Sequence, residues 1–551
     1  MRDRIIRRLQ HVRLSRESLI RMALGIFLGF IALSVVISFI HDRPQDLSSE
    51  ARGLAFEKGR YEAEQFLVER LREDPEQREA WITLCQLRSG GTTAEARLIF
   101  ERVVEEFERE GFRLPDRVTA PVNNAPFLSD AEFDEFIQSS PVEIEVLRAW
   151  SYADDLDRAL AQLVPLEDSV AAQLTGASIC VLARKRSRAL EYYDGALRIE
   201  PANSEAINGR FRTLQSLGRD AEVELALEDP IVRAAIDPRH VFDYFHEKKD
   251  YIHAFPPLLR MQYQRWSFGI WITCLTIGAC WMLFTFHLGV GWSWRRTIQW
   301  LVPIALVLGW VSADLTLGSV IVFDDWLGDE GNKGIPWHML HALLIGVREE
   351  FWKLLLFVPL LPYLLRAASE VQAIALASIV GLGFAVNENA NYYLMSGGHG
   401  ILGRFLTANF LHMALTGYAG YFLFRALRQK TKAQWIEAGE ALAKVMFFHG
   451  AYDFFIIAPQ LEDWGFLSMI LFILISQQYL RLFFHIRPHR SQRVSSTRIF
   501  VATLATATGM HYLYLSTQLG IGAAVWHTFG GLLGMAIITF MYFHEFDERV
   551  A

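Results

Sequence analysis

Cysteine is scarce in this chain: four residues in 551, at Cys85, Cys180, Cys274 and Cys280, with no Cys-x-x-Cys pair among them. A thiolate metal site or dithiol redox motif is thereby excluded. Positive charge is not in excess either. The formal net charge is −7, and no basic face interleaved with aromatics occurs, so a nucleic-acid partner is not expected. No convincing run of alternating apolar and polar residues marks a half-buried strand, which points to an all-α chain. Three compact signatures are also missing: His-Glu-x-x-His, Gly-x-Gly-Asp and Gly-x-Ser-Gly. Chemistry based on one of those segments is ruled out.

What is present divides into two kinds of sequence. Residues 42–265 read as soluble, whereas 266–543 is a succession of long apolar stretches. A first apolar run, Met22 to Ile40, follows an arginine-rich start (Arg2, Arg4, Arg7, Arg8, Arg13, Arg16, Arg21). It is too long for a signal h-region and has no small-residue cleavage site, so it reads as an uncleaved anchor with its N-terminus in the cytoplasm. Further spans are expected at 267–288, 298–322, 336–364, 371–395, 402–425, 441–458, 465–485, 499–516 and 519–543. Each can cross a hydrocarbon layer of roughly 30 Å. The expected fold is an all-α polytopic bundle of about ten spans with an α-helical soluble domain.

Loop charges test that count independently. If all ten spans are real, alternate connections are cytoplasmic, and these carry Arg295 and Arg296, then Arg366, then Arg425, Arg428, Lys430 and Lys432, then Arg487, Arg490, Arg493 and Arg498. The opposite connections are acidic or neutral: Asp324, Asp325, Asp329 and Glu330, then Ser396–Gly400, then Glu462 and Asp463. The asymmetry follows the positive-inside rule. It puts both termini in the cytoplasm and residues 42–265 outside, across a bacterial inner membrane.

Residues 50–230 have helical periodicity. Gly59–Ala63 leading to Asp74-Pro75, Ala189–Tyr193 leading to Glu200-Pro201, and a weaker copy from Gly218 to Pro230 resemble the tetratricopeptide repeat. Such repeats form a surface for a protein partner rather than a catalytic site. Cys85 and Cys180 could pair if this domain is exported.

The most informative residues are charges inside spans. The fourth span carries Arg348-Glu349-Glu350 and Lys353, the fifth Gly383-Phe384-Ala385 with Glu388-Asn389, the sixth His412, the seventh His449 and Asp453. A charge at mid-bilayer costs on the order of 3 kcal/mol or more. Glu349 shares a helix face with Lys353, and His449 with Asp453. Helical rise places Glu349, Glu388, His412 and His449 about 10–20 Å below the outer surface. Carboxylate and imidazole are ligand types that suit zinc, and a neighbouring glutamate could take the proton of a bound water. Taken singly, each of these residues is as well explained by helix–helix packing.

In order and on successive spans, these motifs resemble the PrsW-type membrane proteases, within the wider superfamily of CAAX prenyl proteases and bacteriocin-immunity proteins. The likeness covers about residues 336–458. The wider pattern is Glu-Glu-x-x-x-Arg, Phe-x-x-x-His and His-x-x-x-Asn. Here Lys353 stands one place before the arginine, Glu388 replaces the second-motif histidine and Asp453 the final asparagine. The first two departures are those of the PrsW branch and argue against a prenylated substrate. The resemblance implies that Glu349 and Glu350 supply the general base, that Glu388, His412 and His449 are ligands of a divalent metal, zinc being expected, and that Lys353, Asn389 and Asp453 support them. It also implies a membrane-protein substrate, such as an anti-sigma factor; the outward domain would recruit or gate it.

The domains expected are therefore 1–41 (basic N-terminus and anchor), 42–265 (outward repeat-like domain), 266–488 (protease core) and 489–551 (two further spans and a tail). His338 and His341 form a rival ligand pair, while His511, His527 and Asp314 read as packing residues. Two other classes compete. One is a non-enzymatic scaffold with a degenerate core, against which the intact Glu349, Glu350, Glu388, His412 and His449 argue. The other is a proton-coupled transporter, weakened by the lack of an inverted repeat between the halves of the apolar region.

Overall fold

The computed structural model describes residues 16–40, most of 60–89, 156–290, 297–327, 334–396, 401–486 and 495–546, with isolated positions between 51 and 109. Among the described residues every regular element is helical. The chain divides into two compact units: Met1–Arg43 together with Gln262–Ala551, and Pro44–Met261. Helix α1 (Arg16–Ile40) belongs to the first.

The second unit begins with α2 (Arg60–Glu73) and α3 (Arg78–Ser89), which close on Leu67, Leu71, Trp81 and Cys85. It continues through α4 (Leu156–Leu163), α5 (Val170–Leu182), α6 (Arg186–Ile199), α7 (Ser204–Ser216), α8 (Asp220–Glu228), α9 (Pro230–Ala235), α10 (Pro238–Glu247) and α11 (Tyr251–Gln264), the last crossing the unit boundary. Side-chain caps start several of these helices: Ser169 accepts from the Ala172 N–H and Asn203 from the Ala206 N–H, each satisfying an otherwise orphaned donor. Small residues face tyrosines between them, Gly176 under the Tyr192 ring and Gly209 under the Tyr193 ring. Cys85 and Cys180 are free thiols buried in separate cores. The pairing considered from sequence is not formed. Burial pushes the Cys85 thiol up to about 12, so both its access and its thiolate fraction are low.

In the first unit, the chain continues with α12 (Phe268–Thr285), α13 (Leu301–Leu327), α14 (Ile335–Phe357), α15 (Leu361–Ala367), α16 (Glu370–Ser396), α17 (Ile401–Leu406), α18 (Ala408–Gln429), α19 (Lys432–Ile457), α20 (Phe466–Ile486), α21 (Ser496–Leu519), α22 (Ile521–Gly534) and α23 (Ala536–Phe546). Among the described residues five helical stretches are long and apolar enough to cross a membrane: Glu17–Ser38, Phe268–Gly289, Ile298–Phe323, Glu370–Leu394 and Phe466–Ile486. Helices α14, α18 and α19 are not among them; they carry Glu349, Glu350, Lys353, His412, His449 and Asp453, and these polar side chains lower their hydropathy. The expected span at 519–543 is bent, α22 and α23 meeting at 57°. The expected span at 336–364 ends its α-helix at Phe357, just before Pro359 and Pro362, because each proline removes a helix hydrogen bond.

Helix α16 is the axis of this unit: 89% of its apolar window is buried, against 6% for α1. One continuous core runs from Trp266 to Tyr542 around it. Glycines set how closely its neighbours approach, as in membrane bundles where small residues let backbones touch. A Cβ on Gly346 of α14 would stand 2.5 Å from the Met446 carbonyl oxygen of α19, and one on Gly450 would stand 2.7 Å from the Ala342 carbonyl oxygen. A Cβ on Gly381 of α16 would overlap the His412 carbonyl of α18.

Gly346→Ala is therefore expected to destabilise the protein by about 1–3 kcal/mol through overpacking. Thermal unfolding of the detergent-solubilised chain measures it, and an unchanged midpoint would mean that α14 and α19 do not meet here.

Candidate metal centre

The glycine contact between α14 and α19 lies one turn from the charged residues of both helices. Glu349 and Glu350 follow Gly346 on α14, and His449 adjoins Gly450 on α19. Gly381 gives α16 the same closeness to His412, and Glu388 lies two turns further along α16. Glu349, Glu350, Glu388, His412, His449, Lys353, Asn389 and Asp453 are thus brought into one connected cluster.

Lys353 is at its centre, with no exposed surface. Its Nζ donates to Glu349 Oε2 at 3.1 Å, to Glu350 Oε1 at 2.8 Å and to His412 Nδ1 at 2.8 Å. These use all three of its N–H groups. The ammonium also stands 3.9 Å from the centroid of the Phe384 ring, whose face attracts a cation.

That arrangement fixes the tautomers. An ammonium only donates, so His412 Nδ1 accepts and its Nε2–H points to Glu388 Oε2, 3.0 Å away. His449 Nδ1 lies 2.8 Å from Glu350 Oε1; a carboxylate oxygen accepts, so Nδ1 carries a proton. Glu350 also accepts from the Thr416 hydroxyl at 3.2 Å, so each of its oxygens has a donor. His449 Nε2 lies 3.5 Å from Glu349 Oε2 and 3.5 Å from Asp453 Oδ2. The two imidazole rings stand 5.1 Å apart, edge to face.

Glu349, His412 and His449 each offer a ligand atom within 4.8 Å of the others. One carboxylate and two imidazoles are a suitable donor set for a divalent metal. The second nitrogen of each imidazole is held by a carboxylate, the usual way of fixing ring orientation around a metal. Charge fits as well. Glu349 and Glu350 face the ammonium of Lys353, Glu388 faces Arg404 and Asp453 faces His449, so carboxylates outnumber the permanent cations and a divalent cation would be electrostatically welcome.

Glu388 does not join that trio. Besides His412 it contacts Arg404 at 2.9 Å. Asn389 Oδ1 accepts from Arg404 Nε at 2.8 Å, and its Nδ2 donates to Asn409 Oδ1 at 2.6 Å. Sequence reasoning missed Arg404, Asn409 and Thr416. Asn409 and Thr416 were open to helical periodicity, one turn on either side of His412. Arg404 carried a signal of its own, a cation on an otherwise acidic or neutral outward side. His338 and His341 pack on Trp337, with ring centroids at 5.1 and 4.9 Å, and are not among the trio. Asp314 accepts from Tyr263 at 2.7 Å and from Asn387 at 2.8 Å, and His511 pairs with Tyr393 at 2.7 Å; both serve helix packing.

Side-chain exposure separates the carboxylates: Glu350 has none, whereas Asp453 keeps 21%. Glu350→Ala strands a buried ammonium and an imidazole, and should cost on the order of 3–5 kcal/mol. Asp453→Ala should cost about 1 kcal/mol or less, as for a partly hydrated pair. Unfolding midpoints of the two variants test the ordering; equal losses would contradict it.

Residues 297–477 match the model of the PrsW family intramembrane metalloproteases. No curated protein and no solved structure matches the chain.

Proposed function

We propose that residues 297–477, given their match to the PrsW family model, are the catalytic part of a metal-dependent peptidase working within the membrane. The observation that carries this reading is the trio of Glu349, His412 and His449, whose donor atoms lie within 4.8 Å of one another. In it Glu349, His412 Nδ1 and His449 Nε2 hold the metal, with zinc the expected ion. Once bound, the metal supplies a water acidified towards neutral pH and a Lewis acid for the peptide carbonyl.

The chain's own residues divide the remaining work. Glu350 orients His449 and Glu388 orients His412. Asp453, 3.5 Å from His449 Nε2 and partly exposed, is the carboxylate placed to take a proton from water. Arg404 holds Glu388 and Asn389. This allocation differs from the sequence expectation, which gave Glu349 and Glu350 the base and Glu388 a ligand role. The reason is geometric: the oxygens of Glu350 already have donors, and Glu388 contacts His412 through the nitrogen opposite Lys353.

Ten crossings follow if α14, α18, α19 and α21 also span and the bent pair α22–α23 counts once. With arginine-rich connections inside, both termini are cytoplasmic and the 44–261 unit lies outside a bacterial inner membrane. A tetratricopeptide-like reading of that unit is supported by left-handed residues at the tight reversals, Arg184 and Gly218, one period of about 34 residues apart. A cavity of about 320 Å³ lined by Leu197, Phe211 and Leu225 together with Arg210, Glu222 and Asp229 offers a mixed apolar and charged surface for a protein partner. The substrate is a membrane-anchored or membrane-proximal protein, of which an anti-sigma factor is one example, and the outward unit recruits or gates it.

Comparison of the membrane proteome between wild type, Asp453→Asn and Glu349→Gln at matched expression tests this allocation. Asp453→Asn should keep its metal and lose about 10²-fold or more in cleavage, the usual contribution of a general base. Glu349→Gln should lose both metal and cleavage. Wild-type cleavage by both variants would refute the assignment.

A further inference from the structure

The cluster contains an internal cation whose hydrogen bonds fall on the groups assigned to the metal. Lys353 Nζ takes the Nδ1 lone pair of His412 at 2.8 Å and Glu349 Oε2 at 3.1 Å. With Nε2–H directed at Glu388, that Nδ1 lone pair is the one donor His412 has to give. A proton donor and a metal ion cannot both use one imidazole lone pair.

We infer that Lys353 and a divalent cation are alternative partners of His412 Nδ1 and Glu349 Oε2, so that loading the metal requires the ammonium to withdraw. This rests on the metal-site reading above and adds to it a gate built from the protein's own side chain. Two partners remain for a withdrawn ammonium. Its third bond, to Glu350 Oε1 at 2.8 Å, lies outside the trio. The Phe384 face, 3.9 Å away, continues to attract a cation that has left His412. Lys353 can therefore keep Glu350 and the aromatic face while giving up the other two partners.

The competition has a thermodynamic consequence. Lys353 makes three ammonium bonds, and metal binding at the trio would exchange two of them for metal–ligand bonds. The site is thus weaker than its donor set would suggest, and its occupancy responds to whatever moves α14 relative to α18. Arg404 provides the contrast. It is also cationic and close to the cluster, but it contacts Glu388 and Asn389, not the trio. If simple charge repulsion governed affinity, removal of either cation would tighten metal binding. If a shared lone pair governs it, only removal of Lys353 would.

Equilibrium dialysis of the detergent-solubilised full chain against Co²⁺, with the visible spectrum as a second readout, distinguishes these cases. Lys353→Met should tighten Co²⁺ binding at least about tenfold, since it removes both the competing donor and a nearby positive charge. Arg404→Met should leave binding unchanged or weaken it. If Lys353→Met is not recovered folded by size-exclusion chromatography, Lys353→Gln is judged by the same criteria. Unchanged or weaker binding in the Lys353 variant, or equal tightening in both variants, would overturn the inference while leaving the metal site standing. No Co²⁺ in wild type or any variant would overturn both.

Discussion

Taking an ammonium group out of water costs several kcal/mol, and a buried ion pair recovers that cost only when its geometry leaves no donor or acceptor unmet. Lys353 meets this condition with three short bonds to two carboxylates and one imidazole, drawn from helices α14 and α18. Everything else in the cluster is arranged around it. Glu350, already bound by Lys353, is free to hold His449 and Thr416. His412, with Nδ1 fixed by the ammonium, must turn Nε2 to Glu388. Loss of that single cation would leave two glutamates with unbalanced charge in a low-dielectric interior.

Such a network tolerates little change in helix spacing. Glycines at positions 346, 381 and 450 let backbones approach to where a methyl group would collide. The glycines and the charges are therefore two parts of one device. The first sets the distance, and the second makes that distance worth keeping. Helix α16, buried along most of its length, gives the pair a rigid centre against which α14, α18 and α19 register.

Much of this was legible in the residues. Charges inside apolar stretches are costly, so Glu349, Glu350, Glu388, His412 and His449 stood out in the sequence, and helical rise put Glu349, Glu388, His412 and His449 at similar depth. The ordered motifs named the family that the match to residues 297–477 then supported. What the sequence could not give was the division of labour. Whether Glu349 or Glu388 faces the imidazole lone pairs depends on helix rotation by tens of degrees, which periodicity does not resolve. Arg404 stood out as a cation on an acidic or neutral side, but a helix-end arginine ordinarily snorkels to the surface; only the fold shows it turned onto Glu388. The bend between α22 and α23 escaped for a related reason. Hydropathy averages over a window and passes smoothly across Gly534 and Met535.

The claim on which the account stands is that Glu349, His412 and His449 together bind one divalent metal. X-ray absorption at the zinc edge of the loaded full-length protein tests it most directly. The account predicts a first shell of nitrogen and oxygen at about 2.0–2.2 Å with multiple-scattering features of two imidazoles, reduced to one in His449→Ala. A first shell without imidazole, or one unchanged by that substitution, would contradict it.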